Sequence, residues 1–125
     1  MTINRDIDSL KNLHKKIVHF RDERDWSQFH TPKDLAISIS IEASELLECF
    51  QWKSEKVVKE YLDSEKSKEI EEEIADVLIY LIGLSDVLGI DLIKTANDKL
   101  DKNASKYPAS KAKGNAKKYT ELAKE

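Results

Sequence analysis

A chain of 125 residues is long enough for one domain with one modest core and too short for two independent ones. Charged residues make up 36% and hydrophobic ones 40%, with only 3 Gly and 2 Pro, a balance that suits helices with solvated outer faces and disfavours a turn-rich sandwich or barrel. The net charge of −3 excludes a general attraction to nucleic acid or to an anionic membrane, because such binding needs a basic field.

The spacing of Ile7, Leu10, Leu13, Ile17 and Phe20, with charged residues between them, predicts an amphipathic helix from about Asp6 to about Asp25. Trp26 to His30 interrupts the pattern. Thr31-Pro32 then supplies an N-cap hydroxyl and a proline at the first helical position, with Asp34 in the first turn. Ile37, Ile39 and Ile41 alternate as a strand would, but the cap before them and the run Glu42 to Phe50 after them favour a helix, apolar nearly all round and hence central. A short third helix, Glu55 to Leu62, follows Ser54 as its cap. The fourth runs from about Glu65 to Leu88, with Ile70, Ile74, Val77, Leu78, Leu81, Leu84 and Leu88 on its buried face and Gly89 as a left-handed C-cap. Asp91 caps a fifth, which carries Leu92, Ala96 and Leu100 inward and stops near Tyr107-Pro108. The expected fold is all-α, a four-helix bundle of helices 1, 2, 4 and 5 in which short loops set neighbours side by side.

From Lys102 onward seven lysines face two glutamates, Glu121 and Glu125, a local balance of +5. We therefore expect a domain over residues 1–108 and a Lys-rich tail over 109–125, solvated and partly disordered or else a phosphate-attracting rim. Cys49 is the single cysteine and cannot form an internal disulfide, and neither a charged-then-apolar leader at Met1 nor an apolar run of spanning length is present. A cytoplasmic protein is expected.

Helix 2 carries Glu42 and Glu45, and helix 4 carries Glu73 and Asp76; residues three apart share a face. Acidic pairs at this spacing are common on solvated helices. These border the apolar stripe: Glu42 has Ile39 and Leu46 one turn to either side, and Glu73 has Ile70 and Val77. Converging carboxylates beside apolar residues repel one another unless a cation compensates them, and the inner stretches of both helices hold no Lys or Arg. Hard divalent cations take oxygen ligands, and magnesium keeps part of its shell for water and substrate phosphates. The expected cofactor is therefore Mg²⁺, held by Glu42, Glu45, Glu73 and Asp76. Glu48, Glu69, Glu71 and Glu72 are read as solvated faces or ion pairs. Lys99, Asn103 and Lys106 share a face of helix 5 and can meet phosphates. Trp26, His30, Trp52 and Tyr80 can stack on a base. His14 and His19 lack companions at a metal-binding spacing, and Cys49 lacks a catalytic partner.

The stretches E-A-S-E-L-L-E-C-F-Q-W (Glu42 to Trp52) and E-E-I-A-D-V-L-I-Y-L (Glu72 to Leu81) resemble the MazG-like nucleotide pyrophosphohydrolases, most closely the dCTP pyrophosphatase branch. R-D-W-S-Q-F-H-T-P (Arg24 to Pro32), K-Y-P (Lys106 to Pro108) and K-Y-T-E-L (Lys118 to Leu122) extend the resemblance over most of the chain. It implies an all-α fold, a magnesium site from Glu42 with Glu45 and Glu73 with Asp76, and hydrolysis between the α- and β-phosphates of a nucleoside triphosphate. It also implies a homodimer or homotetramer with pockets completed across subunits, and a base-and-phosphate pocket containing Trp26, His30, Trp52, Tyr80, Lys99 and Asn103. One carboxylate can act as general base, and Glu45 is the expected one. dCTP or a related dNTP is the expected substrate; dUTP, a modified or damaged nucleotide, and a non-catalytic helical module are the competing readings.

Overall fold

The computed structural model describes residues 9–123, and every ordered element among them is helical. The elements are α1 (Leu10–Glu23), α2 (Pro32–Glu48), α3 (Glu55–Leu62), α4 (Ser67–Leu88), α5 (Leu92–Lys106), α6 (Ala109–Ala112) and α7 (Tyr119–Leu122). None of these helices is long and apolar enough to cross a membrane. The chain divides into two compact units, the first ending at Gly89 and the second beginning at Ile90.

The helix starts follow from side-chain caps that satisfy otherwise orphaned backbone N–H groups. Ser9 accepts from the Asn12 amide at 3.1 Å, Thr31 from Asp34 at 3.2 Å, Ser54 from Val57 at 3.3 Å and Asp91 from Lys94 at 3.1 Å. The Ser9 cap sets the start of α1 at Leu10; the expected start near Asp6, with Ile7, lies outside the described residues. At the end of α4, Gly89 takes φ +66°, the left-handed conformation that closes a helix at little cost only for glycine.

In the first unit α4 is the hub, packing against α2 along much of its length and against α1. Leu35 shares a cavity with Ile79, Tyr80 and Gly83, while Glu45 and Glu48 share a depression with Glu69 and Glu73. Rising numbers on α2 thus meet falling numbers on α4, so the two helices are antiparallel. Leu35, Ile70 and Ile82 form the buried apolar centre, and the Ser85 hydroxyl buried with them donates to the Leu81 carbonyl at 2.9 Å. Burying such a side chain contributes about 1.5–3 kcal/mol.

Two burial expectations are corrected. Helix α2 is not enclosed, because Ile37, Ile41 and Leu47 are exposed, Leu47 to 70%. On α4, Ile74, Leu78, Leu81 and Leu88 are likewise exposed, an apolar stripe at helical spacing. An antiparallel pair with one further helix can cover only part of each apolar surface, which is why an all-round apolar helix need not be central.

In the second unit, α5 ends at Lys106, with Tyr107 as its C-cap before Pro108. The inward expectation for Leu100 and Ala96 is not met, since both are exposed. The tail carries α6 and α7; Leu122 is 1% exposed, and Tyr119 meets Tyr107 edge-on at 6.1 Å between ring centroids.

Candidate active site

The antiparallel pairing of α2 and α4 brings the carboxylates of the two helices face to face. Oxygen atoms of Glu42, Glu73 and Asp76 all lie within 4.8 Å of one another, on half-buried side chains. Glu45 stands beside this trio, more exposed, and interacts with both Glu42 and Glu73. One oxygen of each of two carboxylates, Glu42 Oε2 and Glu73 Oε2, is buried and has no hydrogen-bond partner among the described residues. Burial first, then hydrogen bonding and repulsion from Glu45, then repulsion from Asp76 and Glu73, push the Glu42 carboxyl up from 4.5 to about 7. Burial and the interaction with Glu45 raise Glu73 as well. Two orphaned, buried carboxylate oxygens in a group of acids with no Lys or Arg ion pair among the described residues fit a hard divalent cation, whose charge would satisfy both. The residues set aside in the sequence, Glu48, Glu69, Glu71 and Glu72, are exposed, and Glu69 accepts from the Tyr61 hydroxyl at 2.7 Å.

Beside the trio lies a polar depression of about 550 Å³ walled by α2, α3 and α4 and lined by Glu45, Glu73, Lys53, Tyr61 and Lys66 among others. Lys53 donates to the Cys49 carbonyl at 2.7 Å and sits 4.9 Å from the Tyr61 ring centre.

The structure gathers three of the four residues expected to stack on a base. Trp26, His30 and Tyr80 line one cavity of about 90 Å³ with Ile17, Arg21 and Leu35. Trp26 is held edge-on by Phe20 at 5.8 Å and is tilted against His30 at 6.2 Å. Trp52 is not among them: it is 93% exposed in the turn after α2, at φ +65°, a conformation a bulky residue rarely takes. Lys99, Asn103 and Lys106 lie on α5 in the second unit.

Sequence reasoning missed the remaining lining residues, Arg21 above all. Their only sequence signal is that Ile17 and Arg21 lie one helical turn apart and fall on the face of α1 that meets α4. It also missed the partner of His14, whose Nε2 lies 2.9 Å from Asp86 Oδ1, 72 residues away. His19 pairs locally with Glu23 at 2.9 Å.

Among the described residues the protein is all-α, with antiparallel carboxylate pairs beside an aromatic cavity. The MazG-like family model matches residues 37–122. The chain is 38% identical over 116 residues to dCTP pyrophosphatase 1 of Rattus norvegicus and of Homo sapiens, which covers 91% of this chain and 68% of each relative. A solved structure described as a pyrophosphatase from Archaeoglobus fulgidus is 51% identical with a TM-score of 0.73, covering 79% of this chain and 92% of that one. The chain belongs to the MazG-like family.

Proposed function

We infer that this chain is a nucleoside triphosphate diphosphatase, cleaving a (d)NTP between its α- and β-phosphates to the monophosphate and pyrophosphate. The dCTP pyrophosphatase relatives and the pyrophosphatase structure support the reaction class. The observation that carries the reading within the chain is the carboxylate trio with its two orphaned oxygens, set between an aromatic cavity and a polar depression. dCTP or a closely related dNTP is the preferred substrate in this reading.

Glu42, Glu73 and Asp76, with Glu45 at their edge, would hold Mg²⁺. When bound, that ion supplies charge neutralisation for the phosphates and lowers the cost of forming a hydroxide-like nucleophile. Glu45, more exposed and adjacent to the trio, would take a proton from the attacking water. Trp26, His30 and Tyr80 hold the base, and the depression beside Glu45 and Glu73 has room for the phosphate chain, within the usual range of small-molecule sites. Lys99, Asn103 and Lys106 are assigned to the phosphates.

We further propose that the active form is a homodimer or homotetramer, which would complete a four-helix bundle around the faces left open. The exposed stripe of Ile74, Leu78, Leu81 and Leu88, with Ile37, Ile41 and Leu47 on α2, is apolar surface of the kind that pairs with a second copy. In that assembly Trp52, solvent-facing in one chain, is available to a neighbour's pocket.

The test is a set of charge-neutral variants, Glu42→Gln, Glu45→Gln, Glu73→Gln and Asp76→Asn. Loss of magnesium-dependent turnover is expected in each, and wild-type turnover in all four would end the proposal.

A further inference from the structure

Arg21 lines the cavity that holds Trp26, His30 and Tyr80, and it is the one permanently charged residue among those lining it. Its side chain is only 15% exposed. A guanidinium in a largely apolar wall is costly unless it is held, and two aspartates hold this one: Nε donates to Asp22 at 2.9 Å and Nη1 to Asp86 at 2.9 Å. Asp86 is itself fixed through its other oxygen by His14. The arrangement fastens α1 to α4 beside the cavity and limits the positions the guanidinium can take.

We propose that Arg21 is a specificity-determining residue of this pocket, selecting a base whose edge offers two adjacent hydrogen-bond acceptors, and that Asp86 is the residue that positions it. The proposal rests on the reading of the cavity as the base pocket of a nucleotide hydrolase.

Two observations support it. The first is the donor balance of the lining: Arg21 and the Trp26 indole only donate, His30 and Tyr80 can do either, and no carboxylate or amide side chain is present. A base that brings two adjoining acceptors is matched there, and an amino group next to them can be met by His30 or Tyr80, whereas a base with a donor set between its acceptors leaves donors facing donors. The second is the unused capacity of Arg21. A guanidinium carries five N–H groups. Among the described residues the Nε–H and one Nη1–H are committed, so the other three lie on the two terminal nitrogens and can form a parallel pair. O2 and N3 of cytosine are adjacent acceptors that fit such a pair. Uracil and thymine interpose an N3–H donor, and adenine has no second acceptor adjoining N1, which is flanked by an amino group and a C–H. Guanine offers O6 and N7 to arginine, but on a larger bicyclic base that suits a cavity of about 90 Å³ less well than a single ring does.

The test measures equilibrium binding, by titration calorimetry with magnesium present, of the α,β-imido analogues of dCTP, dUTP, dTTP and dATP, which cannot be cleaved at the α–β bond. Wild type, Arg21→Met, Arg21→Lys and Asp86→Asn are compared. Arg21→Lys retains a cation for Asp86 and so preserves the fold if Arg21→Met does not. Wild type is expected to favour the dCTP analogue. Both Arg21 variants should lose about ten-fold or more of that preference, and Asp86→Asn part of it, while affinities for the other bases change less. Equal weakening for every base would show Arg21 to be only a fastener between helices and would overturn the proposal, as would an unchanged ranking or no preference in wild type. Pyrophosphate release from the natural dNTPs, run alongside, separates the two levels. Hydrolysis with an Arg21-independent ranking sinks this inference alone, whereas no hydrolysis of any dNTP sinks the reading on which it rests.

Discussion

Replacing Glu42 by glutamine should make the metal-free chain more stable and, at the same time, abolish its response to magnesium. A carboxyl held at about 7 in the folded chain against 4.5 as an ordinary value binds its proton more tightly when folded. Its contribution to stability is therefore fully present below about pH 4.5 and is lost as pH rises through about 7. Unscreened, a displacement of that size corresponds to ~3 kcal/mol. The site opens to water beside the exposed Glu45, and screening brings the expected effect to about 1 kcal/mol. For a chain of this length that is about 3–5 °C in Tm. Thermal unfolding of wild type and Glu42→Gln in EDTA should thus show the variant melting higher at pH 8, with the gap closing near pH 5. With magnesium the order should reverse at pH 8, because the variant has lost a ligand, and turnover should fall at least 100-fold, since even outer partners of metal ligands are worth 10–100-fold. A variant that melts lower than wild type in EDTA at pH 8 would refute the claim that these carboxylates are mutually frustrated without a cation.

Because ligand carboxylates must be deprotonated, the magnesium-induced rise in wild-type Tm should grow from pH 5 to pH 8, with its steepest change near 7; a flat profile would count against Glu42 as a ligand. Asp86 behaves oppositely: hydrogen bonding from His14, then from Arg21, outweighs burial and holds its carboxyl below the ordinary value, so its stabilisation is present above about pH 4 and is lost as pH falls through the lowered value. Asp86→Ala should cost about 1–2 kcal/mol at pH 7, some 3–10 °C in Tm, and the deficit should shrink in acid. Gly89→Ala should cost about 1 kcal/mol from φ +66° alone, since an added Cβ there meets nothing within 4 Å. Ile82→Ala, at a site 1% exposed, should cost about 2–5 kcal/mol in denaturant unfolding.

The parts of the fold legible in the sequence are those written in local chemistry. Thr31-Pro32, Ser54, Asp91 and Gly89 act on backbone groups within four residues, so they mark the ends of α2, α3, α4 and α5 to within one or two positions. The carboxylates were legible for the same reason, because Glu42 with Glu45 and Glu73 with Asp76 are fixed on their helices by periodicity before any packing is known. Burial was less legible. The periodicity of α4 names Ile74 and Leu81 as apolar, but whether they meet another helix, another copy or water depends on how many neighbours the fold provides. Arg21, Asp86 and His14 come together only because α1 crosses α4, and no local spacing encodes a contact between residues 65 or 72 positions apart. Trp52 illustrates the converse: its motif invites a place in the pocket, yet the turn that ends α2 carries it out to solvent.

The most direct test incubates the purified protein with each common dNTP and NTP, in magnesium and in EDTA, and resolves monophosphate plus pyrophosphate from diphosphate plus phosphate. Magnesium-dependent release of pyrophosphate, fastest from dCTP or a related dNTP and abolished by EDTA, is the predicted result. Release of single phosphates, turnover that survives EDTA, or no turnover of any nucleotide would contradict the account.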